Sequence, residues 1–460
     1  MFDAECREHR YIEGCARDVA HLYGFEEVMT PVLERTNVFS RTLGDESDVV
    51  GKEMYTFVDK SNESLSLRPE STAGVMRALL HSRIGKLRSR PEKLFYSGPM
   101  FRRERPQKGR LRQFHQIGVE LCGSHQAAAD VEVILLGEAL LQTLGLETSE
   151  PGGGDDGKKG AILELQVNTL GDAKSRASYE TALAEYFMEH KEELSGISRD
   201  RLDRGAVLRI LDSKESKDRV VVDGAPGMDA YLTAAALGRF EEVCDGLRNS
   251  RVPFVVNSRL VRGLDYYSHT AFEFVVSSSC GVAIESSRGQ AVLAGGRYDG
   301  LSSLLGAKRK VDGVGWAMGT ERAQLLRRDL GLADSSDRGL PSIVVAAVRP
   351  SADSDVSERE LQRFVDHVCN RLRSIESPAW RVHRQFEVAP MSKLFKQATK
   401  TYEADALVVV GERELRSGDG CVSIKNFRAD RLDISVPLEH LVSSLSMGLM
   451  GSNDGAMTAS

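Results

Sequence analysis

The chain has 460 residues, enough for two or three domains with their own cores, and 41% apolar with 28% charged residues excludes a disordered or fibrous class. A formal net charge of −6 excludes a protein that coats nucleic acid indiscriminately, so nucleic acid has to be met by a local basic patch. Seven scattered cysteines without a Cys-x-x-Cys pair give no sign of a disulfide framework or a zinc site, and no stretch approaches the roughly 20 apolar residues of a membrane span; a cytoplasmic protein is expected.

In chain order, Tyr11, Ile12, Cys15, Ala16, Val19, Leu22 and Tyr23 recur at helical spacing and predict a helix from Glu8 to Tyr23. Gly24 ends it ahead of a short strand, Phe25 to Met29, and Pro31, an arrangement suited to a dimer edge. Glu53 to Val58 and Ser64 to Glu70 read as a hairpin turning at Lys60 to Glu63. Ser71 or Thr72 is expected to cap a helix from Ala73 to His81, which puts Glu70 beside the free N–H groups of the helix entrance. A charge near a helix start is also commonplace.

The next segment is the most informative. Apolar Leu94 to Met100 and alternating Leu111 to Leu121 flank the basic tract Arg102 to Arg110, so two strands are expected to present a cationic loop. Side chains repeat every two residues along a strand, so Arg112, Phe114, Gln116, Gly118 and Glu120 share one face. Gln116 and Glu120 are then about 13 Å apart with a glycine between them, a floor on which a small polar ligand fits. From pattern alone, a solvated hairpin with a basic tip serves equally well.

Beyond it, Ala127 to Leu144 reads as an apolar helix, Ser149 to Gly160 as a low-complexity loop and Ile162 to Val167 as a strand. Helices at Tyr179 to Glu193 and Met228 to Asn249 suggest an inserted helical module at about 170–250. Strands are expected at Val252 to Arg259 and Thr270 to Val276, then a glycine-dense stretch, Leu293 to Leu301, and a strand entering a helix at Gly313 to Arg322. Residues 331–340 read as a linker. Beyond it Ser342 to Val348, Trp380 to His383, Ala406 to Val410 and an edge strand, Cys421 to Asn426, alternate with helices around Leu361 and at Met391 to Tyr402, which predicts a small α/β domain with a mainly parallel sheet at 341–447 and a flexible tail at 448–460.

Five motifs in order resemble the histidyl-tRNA synthetases, a family of class II aminoacyl-tRNA synthetases. They are the helix and strand ending at Pro31, the hairpin Phe101 to Glu120, Leu260-Val-Arg-Gly-Leu-Asp-Tyr-Tyr267, Gly295-Gly-Arg-Tyr-Asp-Gly-Leu301, and Gly313 to Arg322 with its Gly-x-Glu-Arg ending. The resemblance implies an α/β and α+β multidomain chain: an antiparallel-sheet class II catalytic domain over 1–330, interrupted by the helical insertion, followed by an anticodon-binding α/β domain. It implies activation of L-histidine by ATP with Mg2+, transfer to tRNA(His), and a homodimer.

By the same resemblance Arg102 and Arg262 are the catalytic cations at the α-phosphate, while Arg112, Phe114 and Arg322 join Arg102 in holding ATP. Arginine's planar fork suits paired phosphate oxygens. Glu70, Thr72 and Gln116 are expected at the ammonium end of histidine, Glu120 and Tyr267 at its imidazole, with Tyr266 and Tyr298 nearby; Tyr298 serves equally as a core aromatic. Arg103, Arg105 and Gln107 are expected at the tRNA acceptor end, and no metal ligand is assigned. The chain departs from the family pattern by starting inside the first helix, by carrying Arg103 where many relatives have histidine, and by its long 149–160 loop. A silent regulatory paralogue would have lost these arginines and the C-terminal domain, and a proline, threonine or glycine synthetase would lack the two middle signatures.

Overall fold

The structure, a computed structural model, describes residues 4–44, 47, 49–82, 91–104, 111–148, 163–211, 213, 215–260, 266–277, 290–332, 340–374, 380–417, 420–427 and 433–450. The chain forms two compact units, Met1–Asp337 and Arg338–Ser460. Among the described residues no helix is long and apolar enough to cross a membrane.

In the first unit, α1 (Ala4–Leu22) turns at Gly24, whose φ of 76° is open to glycine without strain, into β1 (Glu26–Glu27). Then follow β2 (Leu33–Arg35), α2 (Thr36–Leu43), β3 (Thr56–Val58), β4 (Ser64–Leu67) and α3 (Thr72–His81). The expected hairpin is β3 against β4, and β2 adds a third strand on the other side of β4. The long hairpin β5 (Glu92–Phe101) and β6 (Gln113–Cys122) leads to α4 (Ala127–Thr143) and β7 (Leu163–Thr169). A helical insertion runs from α5 (Ala173–Glu189) through α6 (Gly196–Asp203), α7 (Leu208–Leu211) and α8 (Arg219–Asp223) to α9 (Ala234–Asn249). The unit is completed by β8 (Val255–Val256), β9 (Ser268–Val276), β10 (Ala291–Arg297), α10 (Leu301–Leu304), β11 (Gly313–Gly319) and α11 (Thr320–Asp329).

Two expectations in this stretch need correcting. The helix foreseen from Met228 breaks at Leu232: a 3-10 turn at Met228–Tyr231 comes first, and α9 starts only after Thr233, whose hydroxyl accepts from the Ala236 N–H at 3.2 Å. The strand foreseen over Val252 to Arg259 shrinks to β8; on its N-terminal side Pro253 lacks an N–H for a ladder.

The main sheet has the order β1-β5-β6-β11-β10-β9-β7-β8, antiparallel from β5 through β7 and parallel at both edges. The period of two divides β6 into two roles. Ile117, Val119 and Leu121 join Ile12 and Ala16 of α1 and Val133, Ile134 and Leu140 of α4 in the main core, while Gln116, Gly118 and Glu120 face away from that layer. Helix α4 is apolar nearly all round because the sheet covers one side and α9 the other.

One charged cluster is sealed inside this unit. Arg297 and Asp130 are both fully buried, with Nε to Oδ1 at 3.0 Å and Nη2 to Oδ2 at 2.7 Å; Arg239 Nη2 meets the same Oδ2 at 2.7 Å and Asp299 Oδ1 meets Arg297 Nη1 at 2.9 Å. The cluster ties β10, α4 and α9 together.

The second unit contains β12 (Ser342–Ala347), α12 (Glu358–Arg373), β13 (Arg381–Arg384), α13 (Met391–Lys400), β14 (Ala406–Val410), α14 (Glu412–Arg416), β15 (Cys421–Asn426), β16 (Asp433–Pro437) and α15 (Leu441–Met450). Its sheet order is β13-β12-β14-β15-β16, with parallel pairing in the first half and antiparallel pairing in the second. The sheet is therefore only half parallel, and Cys421–Asn426 is an inner strand: β16 covers it and turns Ile434 and Val436 toward the core. Order also continues past 447, because α15 extends to Met450. Ser357 and Glu360 cap α12 reciprocally, at 3.2 and 2.9 Å.

Removing the Asp130 carboxylate leaves the buried Arg297 cation with Asp299 as its remaining carboxylate partner. Asp130→Ala is predicted to cost about 3–5 kcal/mol of stability, read by urea unfolding; a loss below about 1 kcal/mol contradicts the role given to the cluster.

Candidate active site

A cavity of about 450 Å³ opens on the face of the main sheet opposite α1 and α4. Its wall includes Glu70 and Thr72 from the start of α3, Phe114 and Gln116 from β6, Tyr266, Tyr267 and Tyr298 from the two signature stretches, and Arg102 and Arg322. The hairpin register sets Gly98 opposite Gln116 and Met100 opposite Phe114, and β11 sets Gly315 opposite Glu120.

At the α3 entrance the cap is Glu70 itself. Neither Ser71 nor Thr72 caps with its side chain; the Thr72 N–H donates to Glu70 Oε2 at 2.5 Å and the Ala73 N–H donates to Oε1 at 3.1 Å. Burial raises the Glu70 pKa, while these two N–H groups and Arg102 pull it back. Thr72 also links two carboxylates, because its hydroxyl donates to Glu120 Oε1 at 2.7 Å.

Glu120 is 1% exposed, and Tyr298 O–H donates to its other oxygen, Oε2. It lies behind Thr72 and Tyr298 rather than on the cavity wall itself. A Cβ at position 315 would stand 1.9 Å from Oε2, so only glycine there leaves room for the carboxylate. Burial pushes the Glu120 carboxyl up to about 8, against the lowering effect of the Tyr298 and Thr72 hydroxyls. Tyr298 is thus both core aromatic and wall: it packs at 6.0 Å from Tyr266, which lies 4.8 Å from Tyr267. Gln116 Oε1 is buried and has no hydrogen-bond partner among the described residues, an acceptor facing the cavity.

At the other end, the Arg102 guanidinium stands 5.3 Å from the Phe114 ring centre and its Nε donates to Pro69 O at 3.0 Å. Arg322, in the first turn of α11, lines the same cavity and donates to Ala291 O. Arg112 stands just before β6, with its side chain exposed and off the cavity wall, and its carbonyl accepts from the Arg102 N–H at 2.9 Å. Arg103 is exposed and its Nε donates to Lys52 O at 3.3 Å. Arg262, Arg105 and Gln107 lie outside the described residues.

Sequence reasoning missed Tyr96, Glu104, Glu273 and Glu321, all on the wall. Glu104 and Glu321 sit inside motifs already singled out, so adjacency was the available signal; Tyr96 was hidden in an apolar run. The Tyr96 hydroxyl occupies the space above Gly118, where a Cβ would lie 2.3 Å from it.

The family model described as "Histidyl-tRNA synthetase" matches residues 1–323. The chain belongs to the histidyl-tRNA synthetase family. It is 51% identical over 322 residues to the histidine–tRNA ligase of Rhodospirillum rubrum, covering 70% of this chain and 72% of that one, and 40% identical over 444 residues to that of Latilactobacillus sakei, covering 96% and 93%. The crystal structure of apo S. aureus histidyl-tRNA synthetase superposes with a TM-score of 0.72 at 26% identity, covering 96% of each chain. The antiparallel catalytic sheet and the separate α/β unit are those of a class II histidyl-tRNA synthetase.

The buried Glu120 makes a pH prediction for this family member. The unfolded chain releases that proton near 4.5 and the folded chain holds it to about 8, so the stability it contributes is complete below 4.5 and is lost as pH rises toward 8. Glu120→Gln removes this slope. Urea unfolding at about pH 5 and about pH 9 should move the comparison in favour of Glu120→Gln as pH rises; an unchanged difference contradicts the shift.

Proposed function

We propose that this chain joins L-histidine to tRNA(His) using ATP, as a histidine–tRNA ligase. A histidine carboxylate oxygen attacks the α-phosphorus of ATP, forming histidyl-adenylate and expelling pyrophosphate. A terminal ribose hydroxyl of the tRNA then attacks the acyl carbon, AMP leaves, and the hydroxyl proton passes to solvent. The observation that carries this reading is one cavity with Glu70 at one end, linked through Thr72 to Glu120 behind the wall, and Arg102, Phe114 and Arg322 at the other.

In the first step negative charge gathers on the transferring phosphoryl group, so fixed cations and positioning do most of the work. Arg102 would hold the α-phosphate with Arg262 as a second fixed cation, Phe114 would stack on adenine, and Arg322 would cover its other face and reach the γ-phosphate. Among the described residues no group of three or more His, Cys, Asp or Glu side chains is arranged to hold a metal, so Mg2+ would ride mainly on the phosphates, with Glu104 and Glu273 as the wall carboxylates suited to share it. Magnesium would neutralise phosphate charge.

At the histidine end, Glu70, Thr72 and the unpartnered Gln116 oxygen would take the ammonium group. In its ionised form each Glu120 oxygen keeps a second lone pair beside its hydroxyl donor, so the carboxylate would accept from an imidazole N–H while Tyr267 meets the other ring nitrogen and Tyr266 and Tyr298 close the walls. An apolar amino acid would leave these groups unpaired.

Arg103, Arg105 and Gln107 would meet the acceptor end, and the second unit would meet the anticodon. A homodimer fits the exposed apolar Leu22, Met29, Leu33 and Phe57 around β1 to β3, and a cytoplasmic location fits the unpaired thiols of the described cysteines.

ATP–pyrophosphate exchange, run with each amino acid in turn, should proceed with histidine alone; exchange with none, or with proline in its place, contradicts the reading. Arg262→Ala should lower the exchange rate at least about a hundredfold while histidine binding changes little, since a cation at the developing phosphoryl charge acts in the transition state; equal losses in both would remove that role.

A further inference from the structure

His115 and Glu321 are 206 positions apart in sequence and meet at the back of the cavity. The His115 N–H donates to Glu321 Oε2 at 2.9 Å, and its ring Nδ1 lies 2.8 Å from Oε1. Both side chains are well shielded, at 22% and 12% exposure. Helix α1 backs the pair: the His9 ring stands edge-on to His115 at 4.6 Å, His9 Nε2 lies 3.6 Å from Glu13 Oε1, and Ser97 of β5 donates to the same oxygen at 2.6 Å.

The position of this pair gives it a use. His115 follows Phe114 directly in β6, and Glu321 directly precedes Arg322 in α11. The sheet carries the same join, because Gly319, the last residue of β11, is opposite Gln116. Phe114 and Arg322 therefore each hang one residue from a single double contact between strand and helix. A carboxylate on the wall of a site for polyphosphate would also repel its ligand, and His115 together with its own N–H counters that charge; Glu321 in turn holds the imidazole proton above its ordinary value.

We infer that the His115–Glu321 contact sets the width of the slot between Phe114 and Arg322, making His115 a positioning residue for the nucleotide; this rests on the reading of Phe114 and Arg322 as the two faces around adenine. His115 does not line the cavity, so it acts through its two neighbours.

The test is ATP–pyrophosphate exchange on the full chain with His115→Leu, His115→Asn, Phe114→Ala and Arg322→Ala, each checked for a cooperative melt. His115→Leu should raise the KM for ATP about tenfold, the scale of one lost charge-assisted hydrogen bond, and leave the KM for histidine within about twofold. His115→Asn, which keeps a donor near the Nδ1 position, should recover most of the loss. Equal rises in both KM values, no rise, or no recovery with asparagine overturns the inference. If Phe114→Ala and Arg322→Ala leave the KM for ATP unchanged, it is the underlying assignment of the slot that fails.

Discussion

A carboxylate without access to water must be accommodated by everything around it, and Glu120 is such a group. Thr72 and Tyr298 supply hydroxyls to its two oxygens, and Gly315 yields the space its Oε2 occupies. Thr72 then passes the constraint on, since its own N–H is held by Glu70, which caps α3. One buried side chain thereby fixes the entrance of a helix, the register of two neighbouring strands and the tyrosine of a distant signature. Its raised pKa is the electrostatic side of the same burial.

The strand that carries Glu120 serves two masters because of the β period of two. One set of side chains, Ile117, Val119 and Leu121, closes the core with α1 and α4; of the alternate set, Phe114 and Gln116 line the cavity and Glu120 stands behind its wall. Arg102, Arg103 and Arg112, at the described ends of the hairpin strands, add local positive charge to a chain whose net charge is −6. Such a distribution favours an anionic ligand at this place over general attraction to polyanions. Arg102 and Phe114 come as a unit, so the aromatic platform also sets the position of the arginine.

Much of this was legible in the sequence, for local reasons. Alternation announced the β5–β6 hairpin and the face shared by Phe114, Gln116 and Glu120, and Pro-Glu-Ser-Thr before an apolar run announced the start of α3. What escaped depended on partners far along the chain. The choice of Glu70 over Ser71 as the cap is decided by the tertiary placement of the α3 entrance, and the double role of Tyr298 by a contact 178 positions away. Arg112 obeyed the alternation argument in principle but lies just outside the strand, where the period no longer binds it. In the second unit the short β16, ending in Pro437, was too weak a signal to show that Cys421–Asn426 is covered.

The central claim is that the Glu120 end of the cavity reads an imidazole through its two ring nitrogens. Titration calorimetry with L-histidine and with its two ring-N-methyl derivatives tests it most directly. The account predicts that histidine binds and that a methyl group on either nitrogen weakens binding at least about a hundredfold, the penalty for unpaired buried polar groups together with a steric clash. Binding of both methylhistidines with the affinity of histidine would contradict it.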